Sequence, residues 1–223
     1  MAFLRESNDE DRPRIIFTPN PEMVMLARRD ASFAKILNSA DLVVPDGIGI
    51  VYASRLTQAK IAKRVAGIDL LTSIFESADN CNVYFLGAAP GVAEAAAIAM
   101  QSQYAGLTAA GSHHGYFNEN DDMGIIDKIN QSNADIVLVG LGFPRQEKWI
   151  YDNHNKIKAK LIMGVGGSFD VLSGRLKRAP KLFQKLGLEW LYRLMRQPGR
   201  IWRQRVLVIF MLLVVYKKLR GDL

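Results

Sequence analysis

The sequence predicts an α/β fold, a mostly parallel sheet flanked by helices, with a basic amphipathic helical appendage at its C-terminus. Three observations predict it. Short apolar runs alternate with helix-like segments from residue 14 to residue 165. Those runs are apolar at consecutive positions, as strands covered on both faces must be. Beyond about residue 175 the alternation stops and positive charge gathers.

The predicted strands are RIIF (14–17), DLVV (41–44), NVYFL (82–86), DIVLVG (135–140) and KLIMGV (160–165). Between them the pattern predicts helices near 21–38, 47–57, 68–78, 90–104, 122–132 and 144–157. Strand, helix and strand in succession imply right-handed crossovers in the Rossmann-like manner. Ligands in such sheets bind beyond the carboxyl ends of the strands. Past that body, Pro180 opens KLFQKLGLEWLYRLMRQ, Pro198-Gly199 breaks it, and RIWRQRVLVIFMLLVVYKKLRGDL follows. The expected organisation is a cleft-bearing α/β domain over 1–179 and the appendage over 180–223.

Composition bounds the partners. At 49% hydrophobic and 23% charged residues the 223-residue chain is globular in composition. Its net charge of +7 is unevenly spread: residues 1–174 carry 16 Lys and Arg against 20 Asp and Glu, residues 175–223 carry 13 against 2. The positive field therefore belongs to the C-terminal segment, which is suited to an anion such as a phosphate or an anionic membrane surface. The uncharged stretch Val206–Tyr216 has 11 residues. A spanning helix needs about 20, so this one is expected to lie in the membrane interface, flanked by Arg200, Arg203, Arg205 and Lys217, Lys218, Arg220. A buried terminal helix is the plain alternative, and a face buried in a second copy of the chain is another. Trp190, Tyr192 and Trp202 sit among the positives as a nucleic-acid platform would, but the apolar run fits lipid better, so no nucleic-acid partner is expected. Cys81, the one cysteine, excludes a disulfide framework and multi-cysteine zinc, and is read as structural. The first fourteen residues are too charged for a secretory signal, which leads to an expected cytoplasmic location.

Strand ends supply the candidate site residues. Thr18 and Asn20 follow the first strand, and Asp46 and Gly47 follow the second. Gly87 and Gly91 follow the third, Gly140, Gly142 and Gln146 the fourth, and Gly164, Gly166, Gly167 and Asp170 the fifth. Glycine turns bare their backbone N–H groups to a phosphate or ribose, although tight strand-to-helix turns require glycine in any case. Asp170 suits a ribose or base, and Ser168 or Asp170 as a helix cap is the rival reading. Asp46 has the chemistry of a base acting on a sugar hydroxyl, with an ordinary Asp-Gly turn as the alternative. Thr18, Asn20 and Gln146 are neutral hydrogen-bonding groups of the kind sugars are read with, or loop caps. His113 and His114, read as neighbours on a strand, would face opposite ways and not share a metal. Arg193, Arg196, Arg200 and Arg203 recur at helical spacing, and guanidiniums bind diphosphates bidentately.

Taken together, TPNPEMV (18–24), VPDGIGIVYAS (44–54), RVAGIDL (64–70), HHGYF (113–117), VGLGFPRQEKWI (139–150), GVGGSFDVLSG (164–174), KRAP (177–180) and GLEWLYRL (187–194) resemble the WecG/TagA/CpsF family of bacterial glycosyltransferases. The resemblance runs from about residue 14 to 205. It implies inverting transfer of an N-acetylmannosamine-type sugar from a UDP donor to the 4-hydroxyl of N-acetylglucosamine on polyprenyl diphosphate, at the inner face of the plasma membrane, for surface polysaccharide synthesis. It implies that Asp46 is the catalytic base, that Thr18, Asn20 and Gln146 line the sugar site, that Arg64 lies close by, and that Asp170 lies near the nucleoside. It also implies that Arg193, Arg200 and Arg203 stabilise the leaving diphosphate and that no metal or other cofactor is needed. Another UDP-hexose or uronic-acid donor, and a non-catalytic nucleotide-binding module, are the competing readings. Family members usually carry a further strand and turn ahead of this region, and 17 residues precede Thr18 here, so either a weakened fold or an open edge strand is expected.

Overall fold

The computed structural model describes residues 12–57, 61, 64–196 and 201–220, the side chains of 185, 193 and 201–204 excepted. Its sheet has six strands: β1 (Arg14–Phe17), β2 (Leu42–Val43), β3 (Cys81–Gly87), β4 (Leu107–His113), β5 (Ile136–Gly140) and β6 (Leu161–Gly164). All pair in parallel, in the order β2-β1-β6-β5-β3-β4. This is the predicted Rossmann-like α/β sheet. Successive residues of β5 and β6 are buried without alternation, so both faces are covered, as their Val, Ile and Leu content required.

The sheet contains one strand more than the apolar runs predicted. β4 reads LTAAGSH, small and polar, and only Leu107 in it is fully buried. It is an edge strand paired with β3 alone. With one neighbour and a half-solvated surface, it needs none of the apolar density that marks a central strand. At the other edge, β2 is only two residues long.

The residues divide into two compact units. The larger comprises residues up to Phe17, 35–43 and 67–176, and holds the sheet. Its helices are α4 (Gly67–Glu76), α5 (Val92–Gln103), α6 (Asp122–Gln131), α7 (Arg145–Asn153) and α8 (Ser168–Leu172). Two carboxylates lock the amino ends of its strands. Asp41 accepts the Ile15 N–H at 2.7 Å and both Arg12 nitrogens at 2.8 and 2.9 Å. Asp135 accepts the Asn82 N–H at 2.9 Å and pairs with Lys160 at 2.8 Å. Burial raises the Cys81 thiol to about 11, with the charge of Asp135 adding to the effect, so it stays protonated.

The second unit joins 18–34, 44–66 and the residues from Lys177 on. Its helices include α1 (Pro21–Ala27), α3 (Ile48–Leu56), α9 (Lys181–Lys185), α10 (Glu189–Arg196) and α11 (Ile201–Arg220). The helix predicted over 21–38 is two, α1 and α2 (Ala31–Asn38), because Asp30 takes the Ser32 and Phe33 N–H groups at 2.9 and 3.1 Å and starts a new helix. The helix predicted after Pro180 is also divided. Gly187 adopts φ +71°, and the Leu188 N–H closes on the Phe183 carbonyl at 2.8 Å. That left-handed turn ends α9 as glycine ends many helices.

The C-terminal helix α11 is apolar on more than one side. Phe210 and Val214 pack with Met25 of α1 and Ala53 of α3, edged by Val24, Leu56, Val206 and Met211. Around the remaining surface Val208, Leu212 and Leu219 are 60%, 66% and 82% exposed. The buried alternative therefore describes one face of the helix, and another face is exposed. No helix among the described residues is long and apolar enough to cross a membrane.

This division of faces has a measurable consequence. Phe210→Ala is expected to cost about 3 kcal/mol by leaving a cavity, and Leu212→Ala under about 0.5 kcal/mol. Urea unfolding of the two variants checks it.

Candidate active site

At the carboxyl end of the sheet the larger unit is built from backbone. Gly87 pairs in register with Gly140, and a Cβ on Gly87 would overlap the Gly140 carbonyl. A Cβ on Gly140 would meet the Gly166 carbonyl at 2.9 Å and the Phe169 ring at 2.9 Å. These two glycines are thus required by close strand packing. Gly142 and Gly166 differ: both have positive φ, +78° and +52°, and a side chain at either would point into open space. Those two positions owe their glycine to backbone conformation rather than to crowding.

Gln146, in the first turn of α7, is buried among these turns. Its Oε1 accepts the Gly166 N–H at 2.8 Å, and its Nε2 donates to Glu147 Oε1 at 2.7 Å. Its amide pins the loop after β6. Arg145 performs the same task for the loop after β4, donating to the Gly115 and Phe117 carbonyls at 2.7 and 2.6 Å with its guanidinium 4.6 Å from the Phe117 ring centre. Asp170 lies in the first turn of α8, half-buried. Neither it nor Ser168 caps that helix: Gly167 is the cap residue, and the Ser168 hydroxyl donates to Val165 O at 2.7 Å.

The second unit gathers a different chemistry. Its Thr18-Pro19-Asn20 and Pro45-Asp46-Gly47 turns are joined by the Asp46 N–H donating to Pro19 O at 2.9 Å. The Val65 N–H reaches Pro45 O at 3.3 Å and brings in the strip that carries Arg64. Asn20 is the N-cap of α1, its Oδ1 accepting from Glu22 N at 2.9 Å and Met23 N at 3.2 Å. Thr18 is half-buried beside it in the chain. Asp46, its side chain 32% exposed, accepts from Arg64 Nε at 3.3 Å. Arg64 also donates through Nη2 to Glu189, which accepts Arg178 Nε at 3.2 Å on its other oxygen. Burial works against both charges, yet the ion pairs outweigh it: Glu189 is lowered and Arg64 raised, so both are fixed charges.

The larger unit thus presents glycine turns at its strand ends, and the second unit by itself presents a partly exposed carboxylate held by an arginine. A family model described as "Glycosyl transferase WecG/TagA/CpsF family" matches residues 1–222. The chain belongs to the WecG/TagA/CpsF glycosyltransferase family. It is 38% identical over 207 residues to the "N-acetylglucosaminyldiphosphoundecaprenol N-acetyl-beta-D-mannosaminyltransferase" of Staphylococcus aureus strain MRSA252, covering 92% of this chain and 81% of that protein. The protein of the same description from strain MW2 is 37% identical over the same coverage.

Within this WecG/TagA/CpsF chain the arginine set lies partly outside the description. Arg200 is outside the described residues, and Arg193 and Arg203 are described in backbone only, in α10 and α11. The histidine pair is arranged differently from the sequence expectation. β4 ends at His113, so strand alternation no longer applies, and the two rings lie tilted with centres 4.6 Å apart. Among the described residues no group of three His, Cys, Asp or Glu side chains could hold a metal ion. The triplet Asp9-Glu10-Asp11 lies outside them.

Sequence reasoning missed Arg145, Glu147, Arg178 and Glu189. All four stand inside the stretches that carry the family resemblance, and a charged residue within such a stretch was the available signal. Glu147 is 1% exposed, and its Oε2 has no hydrogen-bond partner among the described residues. Burial raises its pKa above the ordinary 4.5 despite the hydrogen bonds from its own backbone and from Gln146. A carboxyl raised on folding binds its proton more tightly in the native state, so its contribution to stability is lost as pH climbs from the unfolded value through the folded one. Glu147→Gln is therefore expected to remove that loss. Its stability relative to the parent should rise by about 1 kcal/mol or more between pH 4 and neutrality, in urea titrations at each pH.

Proposed function

We propose that this chain transfers N-acetylmannosamine from UDP to the 4-hydroxyl of N-acetylglucosamine carried on polyprenyl diphosphate, with inversion to a β-linkage. The relatives' printed names carry the acceptor and the sugar. The observation that carries the chemistry is Asp46, half-exposed on a turn and oriented by Arg64 at 3.3 Å. In this reading the Asp46 carboxylate takes the proton of the acceptor hydroxyl as its oxygen attacks C1 of the donor. The C1–O bond to the diphosphate breaks from the opposite side, and UDP leaves with the electron pair. A single positioned base suffices for such a displacement.

The open glycine turns at Gly142 and Gly166 suit the donor diphosphate or ribose, with Gly87, Gly140 and Gly167 shaping those turns and Asp170 available to a hydroxyl. Thr18, Asn20 and Gln146 are the proposed sugar-site residues. Arg193, Arg200 and Arg203 are proposed to meet the charge that develops on the leaving diphosphate, the task a magnesium ion performs elsewhere. The transfer is accordingly expected to proceed in EDTA.

The exposed apolar side of α11, bordered by Lys217, Lys218 and Arg220, is proposed to lie on an anionic membrane surface, where a polyprenyl-linked acceptor resides. Because its other side holds the second unit together, point changes test this better than truncation. Leu212→Glu with Leu219→Glu should lower sedimentation with phosphatidylglycerol vesicles about tenfold while leaving the thermal midpoint unchanged. Sedimentation equal to that of the parent would remove α11 as the docking side.

The reaction itself is tested by following UDP release from UDP-N-acetylmannosamine, with and without a soluble prenyl-diphosphate N-acetylglucosamine. The expected result is acceptor-dependent release in EDTA, falling about 100-fold or more in Asp46→Asn with UDP binding retained. Undiminished transfer in that variant would exclude Asp46 as the base.

A further inference from the structure

The arginine beside Asp46 is shared, and the manner of sharing is informative. Nε and Nη2 of a guanidinium lie on one edge, the fork that ordinarily grips a single carboxylate with two parallel hydrogen bonds. In Arg64 that fork is split. Nε donates to Asp46 Oδ1 at 3.3 Å, and Nη2 donates to Glu189 Oε2. Glu189 is 5% exposed at the start of α10, and Arg178 Nε holds its other oxygen at 3.2 Å. Asp46, Arg64, Glu189 and Arg178 thus form a chain of alternating charge that begins on the turn after β2 and ends in the C-terminal segment.

We infer that Glu189 is a positioning residue for transfer: by occupying Nη2 it prevents Arg64 from chelating Asp46, so that Arg64 reaches that carboxylate through Nε. This deepens the proposed function and rests on Asp46 being the base. A carboxylate gripped at both oxygens by a guanidinium has its lone pairs engaged and its charge stabilised, and is a poorer proton acceptor. Split between two carboxylates, the same guanidinium fixes direction without full neutralisation. Arg178 keeps Glu189 from following Arg64 toward Asp46. Lysine at position 64 would supply charge but has no fork, which makes it the discriminating background.

The test is a double-mutant cycle with Glu189→Leu, which keeps volume but cannot accept a hydrogen bond. In the otherwise native chain it is expected to lower kcat about tenfold, with UDP affinity changed less than about twofold. In the Arg64→Lys background the same substitution should change kcat by less than about twofold. A tenfold loss in both backgrounds would overturn the inference, since a merely structural role would act regardless of the fork. A crystal structure of the Glu189→Leu variant gives a readout independent of turnover. Nε and Nη2 both on Asp46 is expected, and Arg64 still on Asp46 through Nε alone overturns the inference. Glu189→Met, which likewise offers Nη2 no oxygen acceptor, carries the same measurements should the leucine variant fail to fold. Full activity of Asp46→Asn would instead remove the base assignment itself, an outcome separate from either result of the cycle.

Discussion

Parallel strands must end somewhere, and the two ends of this sheet are finished by opposite means. At the amino end, Asp41 and Asp135 bind strand N–H groups and tie them to Arg12 and Lys160. At the carboxyl end, Gly87, Gly140 and the Gly166 carbonyl approach so closely that no side chain fits between them. The turns beyond the strands follow from that second arrangement. Several of their N–H groups bond within the unit, Ala88 to the Gly140 carbonyl and Gln146 to the Gly142 carbonyl. Gln146 then fills the space beside Gly164, where a Cβ would strike its amide, and pins the Gly166 turn.

The second unit solves a different problem, holding a partly exposed carboxylate fixed in direction. A lone Asp46 on a turn would wander among rotamers. Pairing it with Arg64 costs burial of a guanidinium, and that burial is offset by the hydrogen bonds and charges of Glu189 and Asp46, with Arg178 balancing Glu189 in turn. The network therefore ties three separated parts of the sequence, around 46, around 64 and from 178 to 189, into one electrostatic object. An arginine alone could not do this with the same geometry.

The C-terminal helix shows the same economy with apolar surface. Phe210 and Val214 close the core of the second unit against Met25 and Ala53. Leu212, Val208 and Leu219 face outward. A helix that is hydrophobic around most of its circumference normally lies in the middle of a protein. Here one arc satisfies the fold, and the other, bordered by Lys217, Lys218 and Arg220, is left exposed.

The sequence by itself determined most of the sheet and the residue types at its strand ends, because buried parallel strands must be continuously apolar and their loops must be polar or glycine. Five strands and the positions of Thr18, Asp46, Gly87, Gly140 and Asp170 after them were legible for that reason. It did not disclose β4, whose small residues need satisfy only one neighbour, nor the break at Asp30, where a cap competes with helix continuation. Tertiary structure alone decided which glycines serve packing and which face open space, since Gly87 and Gly142 look alike in a string of letters. It alone also decided that Glu189, 125 residues from Arg64, divides that arginine with Asp46. Periodicity is local and reports burial, whereas a buried charge finds its partner across the chain only once the fold has closed.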